Sequence, residues 1–263
     1  MGSDYYSRPG VNWSRLRILW RGSPLHYLHA TEHPEAGDTP SRVNLRAIHC
    51  AALEPDRWAT DYAAYDGTRR GKAWQAWQEE HPGVEGLTRR AWEEAQAIAD
   101  ALHAHPLAGP LLTGDDGASE VPMGWVDAET DLLCKGLADR LITTADGRRL
   151  GVDLKTVGSV DADEITRMIW RLGWHGQAAH YTAGGGLDGF ALVVVEQAAP
   201  HDVAVFWFDE QTLAHGEALR RRLLRQVADC DEADSWPGRY AEEQTLALPH
   251  WVEPIITDTR STR

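Results

Sequence analysis

The sequence predicts an α/β fold: a central mixed β-sheet flanked by helices, with a helical N-terminal region ahead of it. Three observations predict it. Up to about residue 113 the apolar positions recur mostly at helical spacing, between residues that start and stop helices. Between 118 and 208 the texture shifts to short runs rich in Val, Ile, Leu, Trp and Thr. A helical pattern separates the first three of these runs from the last two, and another follows them, so strands and helices share one layered unit.

Taken in order, residues 12–32 read as short helical pieces broken at Gly22 and Pro24. Residues 42–53 form a helix that Glu54-Pro55 stops, because the residue before proline is pushed out of the α region. Residues 55–70 read as an irregular connection. Helices follow at 71–81 and 88–104, the second capped by Thr88. Strands are expected at 118–126, 132–144 and 149–155, with Asp146-Gly147 as the turn between the last two. One long helix is expected from about Asp161 to Ala183, ended by Gly184-Gly185-Gly186. Strands at 189–196 and 202–208 and a helix at about 210–229 complete the pattern. With no repeat and no linker-length gap, residues 1–263 read as a single domain. Its parts are a mostly helical region (1–113), an α/β core (114–230) and a turn-rich tail (231–263) that wraps the surface.

Composition narrows the function classes. No run approaches the length of a membrane-spanning helix, and residues 1–10 lack the apolar stretch of a secretory signal, so a cytoplasmic location without membrane association is expected. Cys50, Cys134 and Cys230 are far apart and form no CxxC pair, which argues against a disulfide framework, a zinc ribbon or an iron–sulfur cluster. The net charge of −14 opposes phosphate binding globally, yet a local groove can still be basic.

The chemistry concentrates in Lys135-Gly-Leu-Ala-Asp139-Arg140 and, after the hairpin, Asp153-Leu154-Lys155-Thr156. Alternation on a strand puts Asp153 and Lys155 on one face and Leu154 on the other. Hairpin register can bring Asp139 beside Asp153, and Glu120 on the preceding strand can add a third carboxylate. Carboxylate oxygens are the donors Mg²⁺ prefers, with Mn²⁺ an acceptable substitute. Such a site suits phosphodiester hydrolysis, with Lys155 orienting the attacking water or meeting developing charge. The following helix carries Trp170, Trp174, Gln177 and Tyr181, spaced to share one face. Arg140, Arg167, Arg171 and Trp174 are candidate DNA contacts, the last three spaced to track a phosphate backbone.

The ordered set Glu120, Lys-Gly-x-x-Asp139-Arg, Val-Asp153-Leu-Lys155-Thr and Gln177-Ala-Ala-x-Tyr181 resembles the RecE-like exonucleases (exonuclease VIII) of the PD-(D/E)XK superfamily. Outside this set, Arg46-Ala-Ile-His49-Cys-Ala-Ala-Leu-Glu-Pro55, Trp236-Pro-Gly and Leu248-Pro-His-Trp251 resemble further family segments. The resemblance implies a PD-(D/E)XK nuclease-like fold, with Asp139 and Asp153 as the main metal ligands and His49 as an added imidazole ligand. It implies that Lys155 is the catalytic lysine, Glu120 an auxiliary acid, and Gln177 and Tyr181 a supporting pair. It also implies 5′-to-3′ digestion of linear double-stranded DNA in phage-type recombination, a homo-oligomer, and a single-strand annealing recombinase as partner. The chain departs from the family form at Leu137, where an arginine is expected, and at Asn44 or Leu45, where a glycine is expected. Two other readings share the same residues: an endonuclease or defence nuclease of the superfamily, and a non-catalytic DNA-binding module that retains the fold.

Overall fold

The computed structural model describes residues 5, 7–34, 37–240, 242–249 and 251–252. Helices dominate the first part: α1 (Trp13–Arg21), α2 (Pro24–Glu32), α3 (Pro40–Leu53), α4 (Pro55–Asp61), α5 (Lys72–Glu80), α6 (Arg89–Ala104) and α7 (Ala108–Thr113). Two short strands, β1 (Tyr62–Tyr65) and β2 (Glu85–Thr88), pair in parallel within it. Then come β3 (Gly117–Val126), β4 (Leu133–Thr143), β5 (Arg149–Val157), α8 (Ala162–Leu172), α9 (Trp174–Gly185), β6 (Gly189–Glu196), β7 (Val203–Trp207) and α10 (Glu210–Glu232). Side-chain oxygens of Asn12, Ser23, Thr39, Thr88, Asp161 and Asp209 cap α1, α2, α3, α6, α8 and α10 by accepting otherwise unpaired amides.

The main sheet runs β3-β4-β5-β6-β7, with β5 and β6 parallel and the other neighbours antiparallel. A parallel pair needs a crossover, and α8–α9 supplies it. Alternation along the strands sends Val152, Leu154, Val193 and Val195 into a core shared with Ala47 and Ala51 of α3, Ile98 and Leu102 of α6 and Leu112 of α7. Val157, Leu192 and Val194 face the other way, onto Ile165 of α8 and Trp174 of α9. Each fully buried aliphatic side chain contributes roughly 1.5–3 kcal/mol, so burial on both faces fixes the register of β5 and β6.

Two expectations are corrected. Residues 55–70 are not simply irregular, since they hold α4 and β1. The long helix expected from 161 to 183 is two helices, parted at Gly173, which takes the left-handed conformation at φ 74°. A Cβ there would lie 2.8 Å from Trp20 and 3.1 Å from Trp13, so the chain turns where two indoles press against it. The expected tail lies partly outside the described residues; within them Trp236 stacks on Tyr27, centroids 5.4 Å apart. Cys50, Cys134 and Cys230 are buried free thiols. Among the described residues no helix is long and apolar enough to cross a membrane.

Candidate active site

The site forms where β4 and β5 part. Their ladder runs from Thr143↔Arg149 to Arg140↔Val152 and stops. Asp139 and Asp153 are the next positions in register. Beyond the last pair, the Leu154 amide donates to Oδ2 of Asp139 at 2.8 Å, so a side chain takes up a backbone group at the opening.

Asp153 is buried at 2% exposure. Its Oδ2 lies 2.5 Å from Nζ of Lys155, and its Oδ1 accepts from Nε2 of Gln177 at 3.0 Å. The same Gln177 amide lies 3.4 Å from the Tyr181 hydroxyl. The Tyr181 ring packs over Gly136, where a Cβ would come within 3.0 Å of it, which explains the glycine of the Lys-Gly-x-x-Asp segment. Lys155 is held on its other side by the Trp174 ring, 5.9 Å from Nζ to the centroid.

Glu120 sits at φ 52°, a conformation that costs a residue with a Cβ about 1–2 kcal/mol. It interrupts the β3–β4 pairing between Ser119↔Arg140 and Val121↔Ala138. Such strain is retained where neighbours impose it, commonly at functional sites. His49 comes from α3, with Nδ1 3.7 Å from Oδ2 of Asp139. Ligand atoms of His49, Glu120 and Asp139 all lie within 4.8 Å of one another.

The electrostatics are those of a site short of positive charge. Burial and the neighbouring Asp139 push Glu120 up to about 7. Burial raises Asp153 to about 6 against the opposing pull of Lys155, and burial raises Asp139 as well. Burial and the charge of Lys155 lower His49 to about 4, leaving a neutral imidazole able to donate a lone pair. Three carboxylates face one ammonium here, and buried charge needs a partner. The donor set of carboxylate oxygens with one neutral imidazole therefore fits a divalent cation, and Mg²⁺ or Mn²⁺ suits the oxygens. Glu54, whose charge also raises Glu120, is a further acid at the site's edge that no sequence motif singles out. It caps the C-terminus of α3, the helix that carries His49.

Other candidates fall elsewhere. Arg140 does not belong to a DNA surface: it is 5% exposed, and its guanidinium donates to Oγ of Ser119 at 3.0 Å and to the Gly114 carbonyl. Strand alternation turns it to the face opposite Asp139. Trp174 is likewise buried, packed with Ile165, Leu192 and Val194, so it serves the core and Lys155 rather than DNA. Lys135 turns away from the site and donates to the Arg8 carbonyl at 2.5 Å. Arg167 and Arg171 are exposed on α8.

A family model described as "PDDEXK-like domain of unknown function (DUF3799)" matches residues 22–246. The chain belongs to that family. The mixed five-stranded sheet with helices on its faces is the PD-(D/E)XK nuclease fold. Among solved structures, a presumed exonuclease from Eubacterium rectale superposes with a TM-score of 0.62 at 12% identity, covering 95% of each chain. At that identity it speaks for the fold alone. A phage related exonuclease from Haemophilus somnus covers 89% of this chain and 99% of its own at 14% identity, with a TM-score of 0.37, too weak a likeness to add to the argument. No curated protein matches.

Proposed function

We propose that this chain is a divalent-metal-dependent exonuclease that hydrolyses phosphodiester bonds of linear double-stranded DNA. One observation carries the reading: His49, Glu120 and Asp139 converge within 4.8 Å beside a buried Asp153–Lys155 pair, at the opening between β4 and β5. The nuclease fold supports it. Asp139, Asp153, Glu120 and His49 would hold Mg²⁺ or Mn²⁺. When bound, such a cation supplies an acidified water and neutralises charge on the scissile phosphate.

The chain's own residues do the rest. Lys155, braced between Asp153 and Trp174, keeps its ammonium at the carboxylates, where it orients the attacking water or meets charge developing on the phosphate. Gln177 fixes the rotamer of Asp153 and is itself steadied by Tyr181. The exonuclease assignment, 5′-to-3′ polarity, a homo-oligomer, a single-strand annealing recombinase partner, a cytoplasmic location and a role in phage-type recombination rest on the motif resemblance. The distinguishing experiment compares linear with closed circular duplex. An exonuclease degrades the first and spares the second, whereas cutting of the circle makes the chain an endonuclease of the same superfamily. Binding to either substrate without cutting makes it a non-catalytic module.

A further inference from the structure

Outside the carboxylate cluster, two helices carry a similar five-residue run. α1 carries Arg17-Ile-Leu-Trp20-Arg21 and α8 carries Arg167-Met-Ile-Trp170-Arg171. On a helix, positions i, i+3 and i+4 are neighbours, so each segment sets one indole beside two arginines, and the Arg21 guanidinium lies over the Trp20 ring, 5.2 Å from its centroid. The two segments meet at their tryptophans: the rings of Trp20 and Trp170 lie 6.1 Å apart, edge to face at 81°.

Trp170 is 57% exposed, yet it is not loose. The buried His175 ring lies parallel beneath it, at 5.7 Å and 16°. His215 meets it nearly edge-on at 5.4 Å and 69°. His175 bonds the Ile169 carbonyl through Nδ1 at 3.1 Å, and its Nε2 is buried without a partner, so the support is an imidazole ring packed as a flat surface. An indole clamped below and at its edges, with its remaining surface open to water, is a rigid face of the kind on which a nucleic-acid base stacks. Arg17, Arg21, Arg167 and Arg171 are all exposed, and among the described residues none of the four guanidiniums is paired with a carboxylate. In a chain of net charge −14, four such arginines around two indoles form a local exception. The carboxylates of α8 are Asp163 and Glu164 in its first turn, α1 carries none, and Glu32 lies beyond on α2, so the shared face itself is cationic.

We propose that the exposed Trp170, backed by Trp20, forms with Arg17, Arg21, Arg167 and Arg171 a surface that holds a single-stranded segment of DNA, a base on Trp170 and phosphates on the arginines. This deepens the nuclease reading and rests on it for the choice of DNA. The surface is coupled to the site by covalent continuity. Trp20 packs on Gly173, and the next residue is Trp174, whose ring lies under the Lys155 ammonium.

The test is fluorescence anisotropy with a fluorescein-labelled oligothymidylate in EDTA, alongside an abasic oligonucleotide of the same length. Trp170→Ala should weaken oligothymidylate binding on the order of tenfold, and Trp170→Phe should recover most of it. Neither should alter binding of the abasic strand. The double variant Arg167→Ala/Arg171→Ala should weaken both strands and lower the slope of log K against log salt by about 0.7 for each phosphate no longer neutralised. Oligothymidylate affinity unchanged in Trp170→Ala overturns the proposal. So does an equal loss on both strands, or a shifted oligomeric state with affinity retained, which would make this face an interface between copies. A chain that binds as expected but never cuts DNA leaves this surface standing and removes the nuclease reading. A chain that cuts, with binding indifferent to Trp170, does the reverse.

Discussion

The backbone amide of Leu154 donates to the carboxylate of Asp139 at 2.8 Å, where β4 and β5 cease to pair. One oxygen of Asp139 thus closes the sheet while the carboxylate also faces His49 and Glu120. The two duties separate by substitution. Asp139→Asn keeps an acceptor for the amide and should unfold in urea near the wild-type midpoint, but without cutting DNA. Asp139→Ala strands a buried donor and should lose about 1–3 kcal/mol of stability as well. Equal stability of the two variants would mean that the bond to Leu154 does not help hold the strands.

Lys155 separates catalysis from binding. Lys155→Ala leaves Asp153 bonded to Gln177 and removes the ammonium together with its aliphatic stem and its contact with the Trp174 ring. Cleavage should fall by on the order of 10²–10³, the usual loss for one preorganised electrostatic donor, with DNA affinity little changed. Single-turnover rates at saturating enzyme check it. A wild-type rate would reduce the Asp153–Lys155 pair to a structural role.

The pH response of the metal-free protein follows from shifts of opposite sign. Glu120 and Asp153 are raised, to about 7 and about 6, so the folded state keeps protons that the unfolded chain has released. Their contribution to stability is fully present below ordinary carboxylate values and is lost as pH rises through about 6 and 7. His49 is lowered to about 4, so its contribution is present above the ordinary imidazole value and is lost as pH falls toward 4. A divalent cation held there would replace the protons on the acids. The rise in melting temperature on adding Mg²⁺ should therefore be larger at about pH 8 than at about pH 5.5, with protons released on binding. Equal rises at the two pH values would contradict the coupling.

Arg140 belongs to the fold. It is buried between β3 and the end of α3, bonded to Ser119, whose hydroxyl donates to the Leu53 carbonyl at 2.9 Å. Arg140→Ala should lower the melting temperature through the loss of buried hydrogen bonds, about 1–3 kcal/mol, while DNA affinity at constant salt stays at the wild-type value. Loss of affinity without loss of stability would return Arg140 to the DNA surface.

The strands of the main sheet are legible as short apolar runs between turn signals; β6 is a continuous apolar run, as a strand buried on both faces requires, and Asp146-Gly147 marks the turn between β4 and β5. The sequence also shows the spacing that sets Asp153 and Lys155 on one face. Four-residue β1 and β2 are too short to show a period, and they pair across a helix that separates them in the chain. The break at Gly173 is hidden because one glycine inside a helical pattern is tolerated; the indoles that enforce it come from α1, far away in sequence. That break also parts Trp170 from Trp174, residues that an unbroken helix would place on one face: Trp174 is buried and Trp170 is exposed. The positive φ of Glu120 leaves no trace in residue type, since Gly, Asn or Asp signals that conformation and glutamate does not.

We read the cluster of His49, Glu120 and Asp139, with the Asp153–Lys155 pair beside it, as the metal site of a nuclease. Release of acid-soluble nucleotides from a linear duplex, followed as Mg²⁺ is titrated, tests it most directly when wild type and Asp153→Asn are run side by side. The wild type should be silent in EDTA and rise to a plateau with Mg²⁺ or Mn²⁺, and Asp153→Asn should stay at the EDTA level throughout. Release that persists in EDTA, or that survives Asp153→Asn, would contradict the account, as would a wild-type chain that stays silent with either metal.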